Sequence, residues 1–287
     1  MNRRIAFAWI VAWATAGAAR ADAEGLTRLM SGTTSRLTVI GWSADERFAV
    51  VRVFSLLSPE EQTGFCAGYV DDNGKPFLGS LAFFVLEGST LSARLPIQDG
   101  TDAAGKREDG CTPPGIASQR LAAAKKKLAA MGVDLGKPGS LVDGGALPAP
   151  NGPGSAPIMR LDHGPYEERS DGKPLSIVPP GQTEPQTLKL DAWWKTMESP
   201  GGGTVTTLGT FALRQGEQVV KRVKTSAVNT GNMGSRDMLR SGPVYSSPSG
   251  RRLLFFVSEE FTSGRGDASV PYLFGAFEWQ GALLVAR

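Results

Sequence analysis

Glycine and proline fill about a fifth of this chain, 36 and 19 of its 287 residues, well above ordinary usage. Proline lacks an N–H and glycine frees the backbone, so both interrupt regular structure. A chain so punctuated is expected to consist of short segments joined by turns, with few long helices. The segments themselves agree. Leu37–Trp42 and Phe48–Phe54 are apolar runs separated by the polar Ser43-Ala44-Asp45-Glu46-Arg47, the pattern of two strands and a tight turn. Near the other end Gly242–Tyr245 and Leu253–Val257 flank Ser247-Pro248-Ser249-Gly250-Arg251 in the same way. Leu81–Leu86 reads as a buried strand after the Asp71-Asp72-Asn73-Gly74 turn. Ser170-Asp171-Gly172-Lys173 separates extended stretches around Met159 and Ile177. Two more hairpins are expected, Thr204–Leu213 with Gln218–Val228 about Gln215-Gly216-Glu217, and Tyr272–Trp279 with Ala282–Val285 about Gln280-Gly281.

One segment has helical periodicity. Ala117, Leu121, Ala124, Leu128 and Met131 form a single apolar stripe over 116–131, with Lys125-Lys126-Lys127 off it as a solvated face and Gly132 as the stop. The expected fold is therefore mainly β, antiparallel hairpins in a sheet or partly propeller-like array with one packed helix; an α+β arrangement is the alternative. Residues 136–157, half of them Gly or Pro, read as a linker or long loop between an N-terminal β part with the helix (22–135) and a C-terminal β-rich part (158–287).

The two Ser-x-x-x-Arg turns, Ser43 to Arg47 and Ser247 to Arg251, resemble the S-P-D-G-R hairpins of TolB-type β-propeller blades. That resemblance implies that Ser and Asp cap the turn through backbone hydrogen bonds and that the following strand enters the core. The first turn departs from the motif at Glu46, where glycine would follow Asp45. A closed propeller needs four or more blades at a spacing of about 40–50 residues, and only these two copies are present. The overall layout also resembles predicted secreted bacterial proteins of unknown function, which imply no activity.

Location is more legible than activity. Arg3 and Arg4, an uncharged apolar stretch Ile5–Ala19 and the small residues around Ala21 make 1–21 a secretory signal peptide, with Ala23 as the alternative end. The stretch is shorter than the roughly 20 residues needed to span a bilayer, and no later run is long enough, so no transmembrane segment is expected in the mature chain. Cleavage after Ala21 removes Arg3, Arg4 and Arg20 and no acid, which takes the formal charge of +3 to zero. The pI near 8.9 thus belongs to the export signal, and no nucleic-acid partner is expected. A periplasmic or secreted location puts Cys66 and Cys111 in an oxidising space, where an even count favours one disulfide; two free thiols or a redox pair are the alternatives.

The catalytic motifs are weak. Gly100 to Lys106 spells the start of a phosphate loop, but Arg107 stands where Ser or Thr would hold magnesium. His163 is the sole histidine, and without a G-x-S-x-G elbow it reads as a turn residue; paired-histidine metal motifs are impossible. Asp71-Asp72-Asn73-Gly74 lacks the later Glu of a calcium loop, and Arg265-Gly266-Asp267 reads as a chance tripeptide. Adjacent carboxylates at Glu60-Glu61, Glu167-Glu168 and Glu259-Glu260 select no pair for glycoside hydrolysis. No cofactor, metal site or catalytic residue is indicated. Trp193 and Trp194 are the candidate binding residues: adjacent strand positions face opposite ways, so one of the pair is expected outside, where indole stacks on a sugar or anchors a protein. The expected function is an exported, non-enzymatic binding or cell-envelope protein whose partner is an envelope protein or glycan. The alternative is an exported hydrolase working through carboxylates.

Overall fold

Every hairpin turn named above that falls in the described residues is a point where a strand reverses. The computed structural model describes residues 25–29, 34–56, 79–98, 114–143, 166–170, 174–198, 204–230, 237–263 and 266–287. In chain order they form β1 (Thr27–Arg28), β2 (Thr34–Ser43), β3 (Phe48–Leu56), β4 (Gly79–Glu87), β5 (Thr90–Gln98), α1 (Pro114–Ala130), β6 (Val133–Asp134) and β7 (Ser140–Asp143). Then come β8 (Tyr166–Ser170), β9 (Leu175–Ile177), β10 (Gln186–Glu198), β11 (Thr204–Gln215), β12 (Gln218–Thr230), β13 (Asp237–Ser246), β14 (Arg252–Ser263), β15 (Gly266–Gln280) and β16 (Leu283–Ala286). The fold is mainly β, with one helix among the described residues. That helix is too short and too polar to cross a membrane. The signal segment with Ala21, Cys66, Cys111, Asp71–Gly74, Gly100–Lys106, His163, Gly201–Gly203 and Arg265 lie outside the described residues.

Among the described residues all pairing is antiparallel, in three sheets. Sheet 1 has the order β5-β4-β3-β2-β6; sheet 2 is β1-β15-β14-β13-β7 with β16 also on β15; sheet 3 is β12-β11-β10-β8 with β9 also on β10. Sheet 2 lies between the other two. On one face Leu253, Phe255, Val257, Phe274 and Phe277 pack with Leu188, Leu190, Phe211 and Leu213 of sheet 3. On the other, Leu254, Phe256, Leu273 and Ala276 meet Val39, Val51, Val53, Phe84 and Leu86 of sheet 1. The far side of sheet 1 is covered in turn by Ala124 and Leu128 of α1, against Leu81, Phe83 and Val85. Strands buried on both faces need apolar side chains at every position rather than at alternate ones. This explains Leu81–Leu86 and Leu253–Val257, where odd and even residues serve different cores.

The helix runs from Pro114, whose ring suits a first turn, to Ala130, and Gly132 follows at φ 71°. Its Leu121–Ala124–Leu128 stripe lies on sheet 1 and Lys125, Lys126 and Lys127 are exposed, as the periodicity predicts. The Gly/Pro-rich stretch begins later than composition suggests. Ser140–Asp143 is strand β7, which pairs with β13 through Leu141 opposite Tyr245. A backbone contact decides this: Gly139, at φ 76°, lies so close to Ser246 that a Cβ would fall 2.0 Å from its carbonyl oxygen. Beside it the Trp42 Nε1–H donates to Pro138 O at 3.2 Å. Sheet 2 therefore takes β1 and β7 from before residue 144 and β13–β16 from after residue 236.

Candidate functional site: the turn end of the sheets

The β2–β3 and β13–β14 turns share one hydrogen-bond plan. In each, the fourth residue donates back to the first carbonyl at 2.8 Å, Glu46 N to Ser43 O and Gly250 N to Ser247 O. The serine hydroxyl accepts from the amide five residues on, Phe48 N to Ser43 Oγ at 2.9 Å and Arg252 N to Ser247 Oγ at 3.0 Å. The third residue caps the turn: Asp45 Oδ1 accepts from Arg47 N at 3.0 Å, and Ser249 Oγ accepts from Arg251 N at 3.1 Å. The Ser43 hydroxyl donating to Asp45 at 2.6 Å, followed by the Arg47 amide, holds the Asp45 carboxyl below its usual range.

Where glycine would be expected, Glu46 adopts φ 57° and is the one non-glycine residue at positive φ among those described. An L side chain is disfavoured there by about 1 kcal/mol, and its carboxylate supplies the compensation. Oε1 accepts from Ser249 N at 2.8 Å; Oε2 accepts from the Ser249 and Ser247 hydroxyls at 2.7 and 2.8 Å. The second turn has serine where the first has aspartate, and the first turn lends it a carboxylate. Arg252 returns the link by donating from Nη1 to Glu46 O.

Beside this junction lies Glu278, the one buried carboxylate among the described residues. It sits in β15 between the core residues Phe277 and Trp279, opposite Arg252 of β14. Three guanidinium groups surround it: Arg251 Nη2 at 3.1 Å from Oε1, and Arg287 Nη2 at 2.6 Å and Arg252 Nε at 3.8 Å from Oε2. Arg287 is set in place by the β4–β5 turn, where Ser89 N and Oγ both donate to its carbonyl and Ser89 Oγ accepts from Ala276 N at 3.0 Å. Pro180, Arg251, Glu278, Trp279, Gln280, Gly281 and Arg287 line an open cleft of about 340 Å³. The Trp279 indole Nε1 is buried without an acceptor.

Of the residues that sequence patterns single out, Trp193 is not among those lining this cleft. Trp193 lies mid-strand in β10, opposite Thr210 and Arg169, half-buried on the face away from Leu188, Leu190 and Ala192. Trp194 is opposite Gly209 and Glu168, its side chain outside the described residues. Sequence reasoning passed over Glu278, Arg287 and Arg252. Two signals pointed to them: a lone acid inside the apolar Tyr272–Trp279 strand, and the Arg251-Arg252 doublet directly after a turn. No family model, curated protein or solved structure matches the chain.

Proposed function

We propose that the protein is an exported, non-enzymatic binding module of the cell envelope, with its ligand taken at the turn end of the sheets. The observation that supports this is the engagement of Glu278. The one buried acid among the described residues lies within ion-pair distance of guanidinium groups at both oxygens, Oε2 without a hydrogen bond, at the wall of an open cleft. That arrangement fixes donors in place, which suits recognition. A hydrolase acting through carboxylates needs instead an acid free to exchange its proton with substrate or water. Export is supported by the basic, apolar and small-residue sections of 1–21.

The test pairs two measurements on the same protein. Retention on arrays of envelope glycans and peptides should be saturable, while chromogenic glycoside, ester and peptide substrates should show no turnover above that of a Glu278→Gln variant. Absence of retention on every array overturns the reading. So does turnover that Glu278→Gln abolishes while circular dichroism remains native, which would establish the hydrolase instead.

A further inference from the structure

We infer that the cleft between the β13–β14 and β15–β16 turns binds the carboxylate of a small organic acid through Arg251 and Arg287, an inference that rests on the binding reading above. The argument begins with charge. The side chains of Arg251, Arg287 and Glu278 line the cleft, two guanidinium groups against one carboxylate. Arg252, the third neighbour of Glu278, is turned to Glu46 and does not line the cleft.

Geometry takes this further. Each of the two guanidinium groups has Nη2 within ion-pair distance of Glu278, and neither has another side-chain partner among the described residues. A guanidinium has five N–H donors in a planar fork, so most of those donors remain unused. The arginine side chains are 64% and 50% exposed, whereas Glu278 is 5% exposed. The buried carboxylate thus holds two solvent-reaching forks without competing at their outer edges. Arg251 is further fixed by its own backbone, whose carbonyl accepts from Trp279 N at 2.9 Å, and Arg287 by Ala276 and Ser89. Holding the donors before the ligand arrives lowers the ordering entropy that binding must overcome. Pro180 gives the cleft an exposed apolar surface for the body of the acid. Gly281, at φ 62° with nothing within 4 Å of a notional Cβ, leaves its mouth open.

The experiment titrates the full chain, by ligand-observed NMR and calorimetry, with matched acid and neutral probes. N-acetyl-leucine is compared with its amide, galacturonate with its methyl ester, and inorganic phosphate is run alone. The two pairs separate a peptide terminus from an acidic sugar as the source of the carboxylate. The expected result is that at least one acid binds and its neutral counterpart is weaker by about tenfold or more. Arg251→Gln and Arg287→Gln should each reduce the affinity by a similar factor, and the loss should shrink at high salt. The inference is overturned if no acid binds up to about 10 mM, if acid and neutral probes bind alike, if phosphate outcompetes both acids, or if the double arginine variant binds as well as the wild type. The acid-against-neutral comparison needs no variant, so it decides even if a substitution unfolds the chain. Array retention that persists without carboxylate dependence defeats this inference alone. Loss of array retention defeats the reading beneath it.

Discussion

Replacing Glu46 by glycine and by alanine separates two effects that act on one residue. The wild-type side chain accepts three hydrogen bonds, from Ser249 N, Ser249 Oγ and Ser247 Oγ. These groups are partly exposed, so solvent screening discounts each bond to less than about 1 kcal/mol, below the ~1.5–3 kcal/mol of a charged hydrogen bond, and the three together stabilise the junction by about 2 kcal/mol. Against this stands the left-handed backbone at φ 57°, which disfavours any residue with a Cβ by about 1 kcal/mol. Glu46→Ala loses the bonds and keeps the strain, so it should be destabilised by about 2 kcal/mol. Glu46→Gly loses the bonds but relieves the strain, leaving about 1 kcal/mol of net loss. The order wild type, glycine, alanine can be read by urea denaturation; in melting temperature, about 2–4 °C per kcal/mol is expected for a chain of this size. A glycine variant no more stable than alanine would show that the backbone is not left-handed there. A glycine variant as stable as the wild type would show that the carboxylate contributes nothing. Combining Glu46→Ala with Ser249→Ala closes the argument: the pair should be non-additive by about 1 kcal/mol, and additivity within about 0.3 kcal/mol would refute direct contact.

Gly139→Ala should destabilise by about 3 kcal/mol or more, because its Cβ would overlap Ser246 O as well as occupy a positive-φ position. Gly132→Ala, with positive φ but open space around it, should cost only about 1 kcal/mol; equal losses in denaturant titrations would contradict the close approach of β7 to β13. Lys221 donates from Nζ to Phe274 O at 2.6 Å, at the bulge opposite Phe255 and Phe256, and burial lowers its pKa from the ordinary 10.5. Between the folded value and 10.5 the unfolded chain holds the proton more tightly, so this group makes the protein more stable as pH rises through that window. Tyr245, whose hydroxyl burial shifts upward, acts oppositely near and above pH 10, but in wild type and variant alike. The stability difference between wild type and Lys221→Met should therefore grow with alkaline pH; parallel curves would count against a buried Lys221.

Local chemistry made the hairpins and the helix readable in the sequence. Turn residues such as Gln215-Gly216-Glu217 and Gln280-Gly281 state their geometry within a few positions, and the Leu121–Ala124–Leu128 stripe states the helix face. The order of the sheets was not readable, because nothing in Leu253–Val257 says which sheet each face will meet. The cleft was invisible for the same reason. Glu278 meets its arginines only after β14, β15 and the segment beyond β16 have come together, and alone it looks like one polar residue on a strand. The tryptophan pair drew attention by residue type, although type says little about whether a side chain lies at an edge, in a core or at a site. Glu46 was legible as an anomaly, a departure from glycine, but its purpose depends on a second turn distant in the chain.

The pairing of β1 with β15, which sets Thr27 opposite Leu273, also bears on how the chain acquires its structure. Sheet 2 draws strands from either side of those of the other two sheets, and its central members β14 and β15 are synthesised after every strand of sheets 1 and 3. Until they arrive, the inner face of sheet 1, with Phe84, Leu86 and Val53, has no partner. Such topology has a high contact order, because distant segments must meet before their contacts stabilise anything, and it folds slowly. The nascent sheet 1 therefore remains unfinished and adhesive to other apolar surfaces until β14 and β15 emerge. Under the export proposed above, that delay keeps the chain in a form that can be threaded across a membrane.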